Sequence, residues 1–333
     1  MPTDATISTA DAPAIGGESC SAPLPPEPSE CPPPLLWADV LARVEQGVRE
    51  TRFDRAGRVV TVRSFGEGRP LYVLPGGLGD WRLFSLTMWL LRDEFRMVVV
   101  DPAECSAEEA SADLFAAADR LGDASFSLFA TSLGALPALQ AMRERPSRIE
   151  RAVLHAADCR LRLSTTERLL AFAGRMTRRP LESLPFFARI QFHNHRRWFP
   201  PFDASRWEFF LANVGRTPVR SLCRRLGALR AADFTRRLRE IATPILLLRC
   251  EGDGAASTDR VEQLRAALPH AGARFLPHCG HYPFLTHPHV LAKAVREFVV
   301  DPFSRDSKSS ERSASPSRQT DAALLSAKPS SRG

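Results

Sequence analysis

The chain alternates short apolar runs with longer segments in which apolar positions recur at helical spacing. Because the apolar runs show little alternation with polar residues, they are typical of strands that helices cover on both faces, as in a parallel sheet. The runs are residues 71–74, 97–100, 126–129, 152–154, 245–248 and 273–276. The helical segments are 81–92, 108–121, 135–145, 260–267 and 290–299. This order predicts a doubly wound α/β fold with a mostly parallel sheet.

A different pattern precedes the first of these runs. Leu36, Val40, Val44 and Val48 follow one another at a four-residue spacing, which predicts a short amphipathic helix. The turn-forming residues 54–57 then separate two stretches of strand character, 52–53 and 59–65. We expect a β-hairpin there.

The composition divides the chain into further segments. Residues 157–240 interrupt the α/β pattern with a long stretch of helical character, so the core is expected over 35–156 and 241–303. Residues 1–34 are rich in Pro, Ser and Ala, and residues 304–333 in Ser, Arg and Ala. Both ends lack the apolar side chains needed to offset the entropy of ordering, and we expect disordered tails.

The composition also excludes several classes of protein. The 333 residues are 44% hydrophobic, yet no apolar run approaches the roughly 20 residues of a membrane span. The start of the chain carries no apolar core of a secretory signal, and the seven cysteines form no CxxC pair. We therefore expect a cytoplasmic protein with no membrane span.

The positive charge is concentrated in the interrupting segment. The net charge is +7 for the whole chain, whereas residues 157–240 hold 18 Arg and 7 acidic residues and so carry +11. Arginines among many aromatic residues would suit a small substrate that bears an anionic group. A general preference for Arg over Lys, 42 against 3 in the whole chain, is an alternative explanation of this charge. Because no nucleic-acid-binding module is recognisable, we expect no nucleic acid partner.

The candidate nucleophile lies where a predicted strand ends. In parallel sheets, functional side chains collect at the carboxyl ends of strands. The run 126–129 leads into Ala130-Thr131-Ser132-Leu133-Gly134, with a small residue two positions before Ser132 and another two positions after it. A sharp strand-to-helix turn that presents a nucleophilic serine requires this spacing.

A serine needs a base to remove its proton and an acid to orient that base. Asp253 follows the strand predicted at 245–248, and His281 follows the last strand, so the order along the chain is Ser, acid, His. Asp158 also follows a strand and is an alternative acid, and Glu251 is a weaker one. We assign the acid to Asp253 and keep Asp158 as the alternative.

The candidate oxyanion hole comes from two backbone amides. One belongs to Leu133, directly after the nucleophile, and we assign the second to Gly77 in the glycine-rich loop 75–79. This loop lacks both the G-x-G-x-x-G spacing and the lysine of a phosphate-binding loop. His193 and His195 have no acidic or thiol residue close by, so we expect neither a metal nor an organic cofactor.

Together these residues resemble the α/β-hydrolase superfamily over residues 36–300. The resemblance implies the α/β-hydrolase fold with a helical cap at 157–240, and a hydrolase in which Ser132, His281 and Asp253 form the catalytic triad. It also implies hydrolysis of a carboxylic ester or related acyl bond. Two positions depart from the common pattern: Ala130 replaces a glycine, and Pro75 replaces the usual histidine.

The chain also resembles the maspardin branch of this superfamily. The segment after Pro102 lacks the common R-G-x-G-x-S loop, and residues 280–285 are similar to the closing motif of that branch. This resemblance implies an alternative, a non-catalytic binding or adaptor protein with a protein partner on the tails or the cap. The complete set of Ser132, Asp253 and His281 favours catalysis.

Overall fold

The computed structural model describes residues 36–268 and 270–300, with the backbone alone at 255–258. Within these residues the chain forms an eight-stranded sheet in the order β1-β2-β4-β3-β5-β6-β7-β8. The strands are β1 (Arg49–Arg55), β2 (Arg58–Phe65), β3 (Arg69–Leu74), β4 (Phe95–Val100), β5 (Phe126–Thr131), β6 (Ile149–His155), β7 (Ile245–Cys250) and β8 (Gly272–Leu276). In this order, β1 pairs with β2 and β2 pairs with β4 in antiparallel fashion. Every further neighbouring pair, from β4 with β3 through to β7 with β8, is parallel.

Helices cover both faces of the sheet. The helices are α1 (Trp37–Gly47), α2 (Ser85–Leu91), α3 (Ala107–Leu121), α4 (Ala135–Glu144), α5 (Thr165–Gly174), α6 (Phe187–His195), α7 (Ala204–Gly215), α8 (Val219–Leu229), α9 (Ala255–Ala267), α10 (Pro283–Thr286) and α11 (Pro288–Val300). One half of the core joins side chains of α3, α4 and α9 to the sheet, and the other joins those of α1, α2 and α11. The doubly wound, mostly parallel fold is confirmed.

The predicted elements are present, with longer bounds in several cases. The strands β3, β4 and β6 begin at Arg69, Phe95 and Ile149, two or three residues earlier than their apolar runs. The polar residues Arg69, Arg96 and Glu150 interrupt the apolar pattern at these strand starts. The segment predicted as one helix over 81–92 is a short 3₁₀ turn followed by α2. Asp80 caps that turn by accepting a hydrogen bond from the Arg82 amide at 2.8 Å.

The segment predicted as a cap leaves the sheet after β6 and returns before β7, which is the neighbouring strand. It contains the helices α5 to α8. An isolated bridge between Arg160 and Asp233 joins its two ends, and the Phe234 amide donates to the Cys159 carbonyl at 2.9 Å. No helix in residues 36–268 and 270–300 combines the length and the apolar character that crossing a bilayer requires. The tails predicted at 1–34 and 304–333 lie outside the described residues.

Candidate active site

Ser132 lies in a strained turn between β5 and α4. Its φ of +52° is in the left-handed region, which residues other than glycine rarely adopt. The turn is held by close packing, because a Cβ on Gly134 would overlap the carbonyl oxygens of Leu74 and Pro75. Such a conformation projects the serine from the end of the strand instead of along it.

His281 and Asp253 form a hydrogen-bonded pair beside this turn. Nδ1 of His281 is 2.6 Å from Oδ1 of Asp253, and the Cys250 amide donates to Oδ2 at 2.7 Å. The Asp253 side chain is only 1% exposed, so it contacts the histidine in a largely water-free environment. The second ring nitrogen of His281 thereby remains available for another partner.

Ser132 and His281 line one cavity of about 80 Å³. Gly76, Gly77 and Tyr282 are also among its lining residues. Within the described part of the chain these two side chains make no direct hydrogen bond to each other. In hydrolases without substrate this contact is often long, and it shortens when the reacting group binds.

A second histidine, which the sequence analysis missed, lies against the same carboxylate. Nε2 of the fully buried His155 is 3.5 Å from Oδ2 of Asp253 and 3.4 Å from Sγ of Cys250, and its Nδ1 is 2.9 Å from Oγ1 of Thr131. Burial alone would raise the pKa of Asp253. Hydrogen bonds with His155 and then His281 outweigh that effect and hold the pKa well below its ordinary value. Asp253 is therefore charged at neutral pH.

His155, Cys250 and Asp253 are residue types that bind metals, and their donor atoms lie within 4.8 Å of one another. Each of these donors already has a protein partner, so hydrogen bonding accounts for the cluster. The two histidines of the HxH pair do not converge on such a cluster among the described residues. His193 is exposed, whereas His195 packs against Tyr282.

The structure does not bring the alternative acids to His281. Asp158 pairs with Arg260 at 3.3 Å and with Arg162 at 4.0 Å. Glu251 accepts a hydrogen bond from the His278 amide at 2.9 Å. Both carboxylates are thus used to hold surface loops.

The loop that contains Gly77 packs against the serine turn. A Cβ on Gly76 would lie 3.3 Å from Cβ of Ser132, and Gly77 and Leu133 both line a second cavity of about 230 Å³. The cap reaches this loop through Arg225 of α8, whose Nη1 donates to the Gly77 carbonyl at 2.9 Å. The pKa of Arg225 is lowered by burial, against the opposing influence of Glu104 and Asp101.

The predicted cap also packs on the loops that carry Asp253 and His281. The Trp198 indole lies so close to Gly252 and Gly280 that neither position has room for a Cβ. The His195 ring centroid is 6.4 Å from that of His281, and its Nδ1 is buried with no hydrogen-bond partner among the described residues. Sequence periodicity gave no signal for these contacts, because it does not show how the cap folds back.

Comparison with known proteins gives one consistent match. The model of a family described as "Alpha/beta hydrolase family" matches residues 37–294. A Klebsiella pneumoniae protein to which carbamate hydrolase activity is ascribed, RutD, is 28% identical over 235 residues, covering 64% of this chain and 85% of the relative. The pimeloyl-[acyl-carrier protein] methyl ester esterase of Nitrosomonas europaea is 24% identical over 247 residues, covering 69% and 95%.

A solved structure shows the same fold. The enol-lactonase from Burkholderia xenovorans LB400 superposes with a TM-score of 0.64 at 18% identity, covering 75% of this chain and 100% of the lactonase. Every strand of the sheet and the serine turn described above lie within residues 37–294, the range that the family model matches.

Proposed function

The chain belongs to the alpha/beta hydrolase family, and from that premise we propose that it is a serine hydrolase cleaving a carboxylic ester or a related acyl bond. One observation carries the proposal: the 2.6 Å contact between His281 and the buried Asp253, beside a cavity that His281 shares with Ser132. A base oriented by a buried carboxylate and a serine on a strained turn are the parts that acyl transfer needs.

In the proposed reaction, Oγ of Ser132 attacks the carbonyl carbon while Nε2 of His281 accepts the hydroxyl proton. The tetrahedral intermediate collapses, the leaving group takes that proton from His281, and an acyl-serine remains. A water molecule then attacks the acyl-serine with His281 again as the base, which releases the acid and restores Ser132. Asp253 holds one tautomer of His281 and stabilises the imidazolium.

The amides of Leu133 and Gly77 would hold the developing oxyanion. The hydrogen bond from Arg225 to the Gly77 carbonyl supports this assignment, because it fixes the orientation of the peptide group next to the proposed donor. Arg225 is then a positioning residue supplied by the cap. The whole sequence of steps draws only on groups of the protein and on water.

Asp253 is the acid we propose in preference to Asp158. Its carboxylate contacts His281, whereas that of Asp158 is held by Arg260 and Arg162. The low pKa of Asp253 supports the choice, since the acid must be ionised to stabilise an imidazolium.

The substrate we propose is a small acyl compound. The relatives named above are described as acting on a carbamate, a methyl ester and an enol-lactone, which share a carbonyl carbon bonded to oxygen or nitrogen. The larger cavity is lined by Arg225 and also by Asp101, Glu104 and Asp113, so an anionic substituent there would face charges of both signs. We also propose a cytoplasmic location, because the five described cysteines are free, buried thiols.

Labelling of the purified protein with a fluorophosphonate tests the proposal, because this reagent modifies serines that a neighbouring base has activated. Mass spectrometry should find the adduct on Ser132, and Ser132→Ala should abolish it. The matched control is Ser125→Ala, which removes a hydroxyl that contacts Glu150 on the surface and should leave labelling intact.

Absence of label on a folded sample, with diisopropyl fluorophosphate as the smaller second reagent, would contradict the proposed catalysis. The non-catalytic binding protein that the maspardin resemblance implies would then be the better interpretation. Label on another serine would contradict the site assignment while preserving the reaction class.

A further inference from the structure

One continuous part of the cap, residues 164–197, exposes many large apolar side chains. Eight of the fourteen exposed large apolar side chains in the described residues lie in this segment, which we call the outer cap face. They are Leu169, Leu170, Phe172, Met176, Leu184, Phe186, Ile190 and Phe192. Concentrations of exposed apolar side chains on this scale mark interaction surfaces.

Packing inside the molecule leaves each of these side chains at least 39% exposed, although Phe192 contacts the Trp207 ring at a centroid distance of 6.2 Å. In α5 only Ala171 is buried, and in α6 no residue is buried. Phe186, at the start of α6, is 70% exposed and has a φ of +62°, a conformation that a bulky residue rarely adopts. The strained backbone thus presents most of this phenylalanine side chain to solvent.

The charge of the outer cap face indicates which partner. The segment contains seven arginines against Glu167 and Glu182. Glu167 is used within α5, where it accepts a hydrogen bond from the Ser164 amide at 2.7 Å. Among the described residues no acidic side chain pairs with the exposed Arg178, Arg179 or Arg189.

We propose that the outer cap face docks on an anionic lipid surface. Exposed Leu, Phe and Met side chains would enter the boundary between headgroups and acyl chains, while the arginines would contact the lipid phosphates. A second copy of the chain fits less well, because a symmetric contact would place the same net positive charge on both sides. This docking is independent of the proposed catalysis, which takes place beneath the cap.

Flotation of the full-length protein with lipid vesicles tests the proposal. One vesicle type contains phosphatidylcholine alone, and the other contains equal parts of phosphatidylcholine and phosphatidylglycerol. We expect the protein to float with the anionic vesicles, to bind the neutral ones far less, and to dissociate as sodium chloride is raised. Ser132→Ala should bind as the parent does, which separates docking from turnover.

Two sets of variants separate the apolar and the charged contributions. The triple substitution Leu170→Ser, Phe186→Ser, Ile190→Ser should weaken vesicle binding at least about tenfold, because it removes the inserted side chains. Arg178→Gln, Arg179→Gln, Arg189→Gln should weaken it on the order of a hundredfold, since each interfacial cation contributes about fivefold.

The matched control is Leu36→Ser, which removes a similarly exposed leucine outside the cap and should not change binding. Circular dichroism verifies that every variant is folded. Three results would each overturn the proposal: no flotation with anionic vesicles, equal binding to neutral vesicles, or full binding by the apolar triple variant. If light scattering shows a dimer of the parent and a monomer of the apolar triple variant, the face is instead a contact between two copies of the chain.

Discussion

The buried imidazole of His195 should make the cap unstable in mild acid. Its ring packs edge-on against Phe210 and Tyr282, with centroid distances of 5.8 and 5.1 Å. Burial, and then the charge of His281, lowers the pKa of His195 from 6.5 to about 4, although Asp253 opposes the shift. In mild acid the unfolded chain therefore binds a proton at His195 more strongly than the folded protein does.

The sign and size of the effect follow from linkage. Because the pKa is lower in the folded state, the stabilising contribution is complete above pH 6.5 and is lost as pH falls towards 4. Between pH 7 and pH 5 the two pKa values imply a loss of about 2 kcal/mol in the free energy of unfolding. Other groups titrate in this range, so the prediction concerns the difference between parent and variant.

Urea unfolding followed by tryptophan fluorescence at pH 7 and pH 5 measures this difference. His195→Phe keeps an aromatic ring in the same pocket and should reduce the acid-induced loss by about 2 kcal/mol. The same substitution at the exposed His193 should leave the loss as in the parent. An equal loss in the parent and in His195→Phe would refute the reasoning, because His195 would then not be the group that takes up the proton.

Three further outcomes follow from the site. Ser132→Ala and Ser132→Gly should both abolish ester hydrolysis. Thermal unfolding should show the glycine variant to be more stable than the alanine variant by about 1 kcal/mol, because glycine relieves the left-handed backbone strain. Asp253→Asn should lower kcat by about 10³–10⁴-fold in steady-state assays while Asp158→Asn stays close to the parent; the reverse order would assign the acid to Asp158. Arg225→Gln should lower kcat by about tenfold to a hundredfold with little change in KM. This is the loss expected when a charged hydrogen bond to the Gly77 carbonyl is removed. An unchanged kcat would show that this bond does not position the loop.

The strands and their order along the chain could be predicted from sequence because burial on both faces leaves a clear apolar signal. Their first residues could not, since the polar Arg69, Arg96 and Glu150 interrupt the apolar pattern at the starts of β3, β4 and β6. The sequence pattern predicts this helix only from residue 260, whereas α9 begins five residues earlier at Ala255. The residues before 260 show no amphipathic pattern that would predict a helix.

The candidate triad could be placed from sequence because each member follows a strand, and the carboxyl ends of parallel strands meet. His155 is the last residue of β6 and carried a similar signal, yet a histidine at the end of an apolar run does not by itself reveal a carboxylate in the turn after the neighbouring strand. Arg225 and His195 carried no signal at all. Their contacts depend on how the cap folds over the core, which periodicity cannot specify.

The bridge between Arg160 and Asp233 gives the cap the character of an exchangeable module. The chain departs from the sheet and returns to it at adjacent strands, so almost any segment whose ends meet could occupy this place without altering the order of β6 and β7. Evolution or design could then graft a different cap onto an unchanged core, and specificity would change by replacement of one continuous insertion. The condition is that the new cap supplies its own substitute for the arginine that holds the glycine loop.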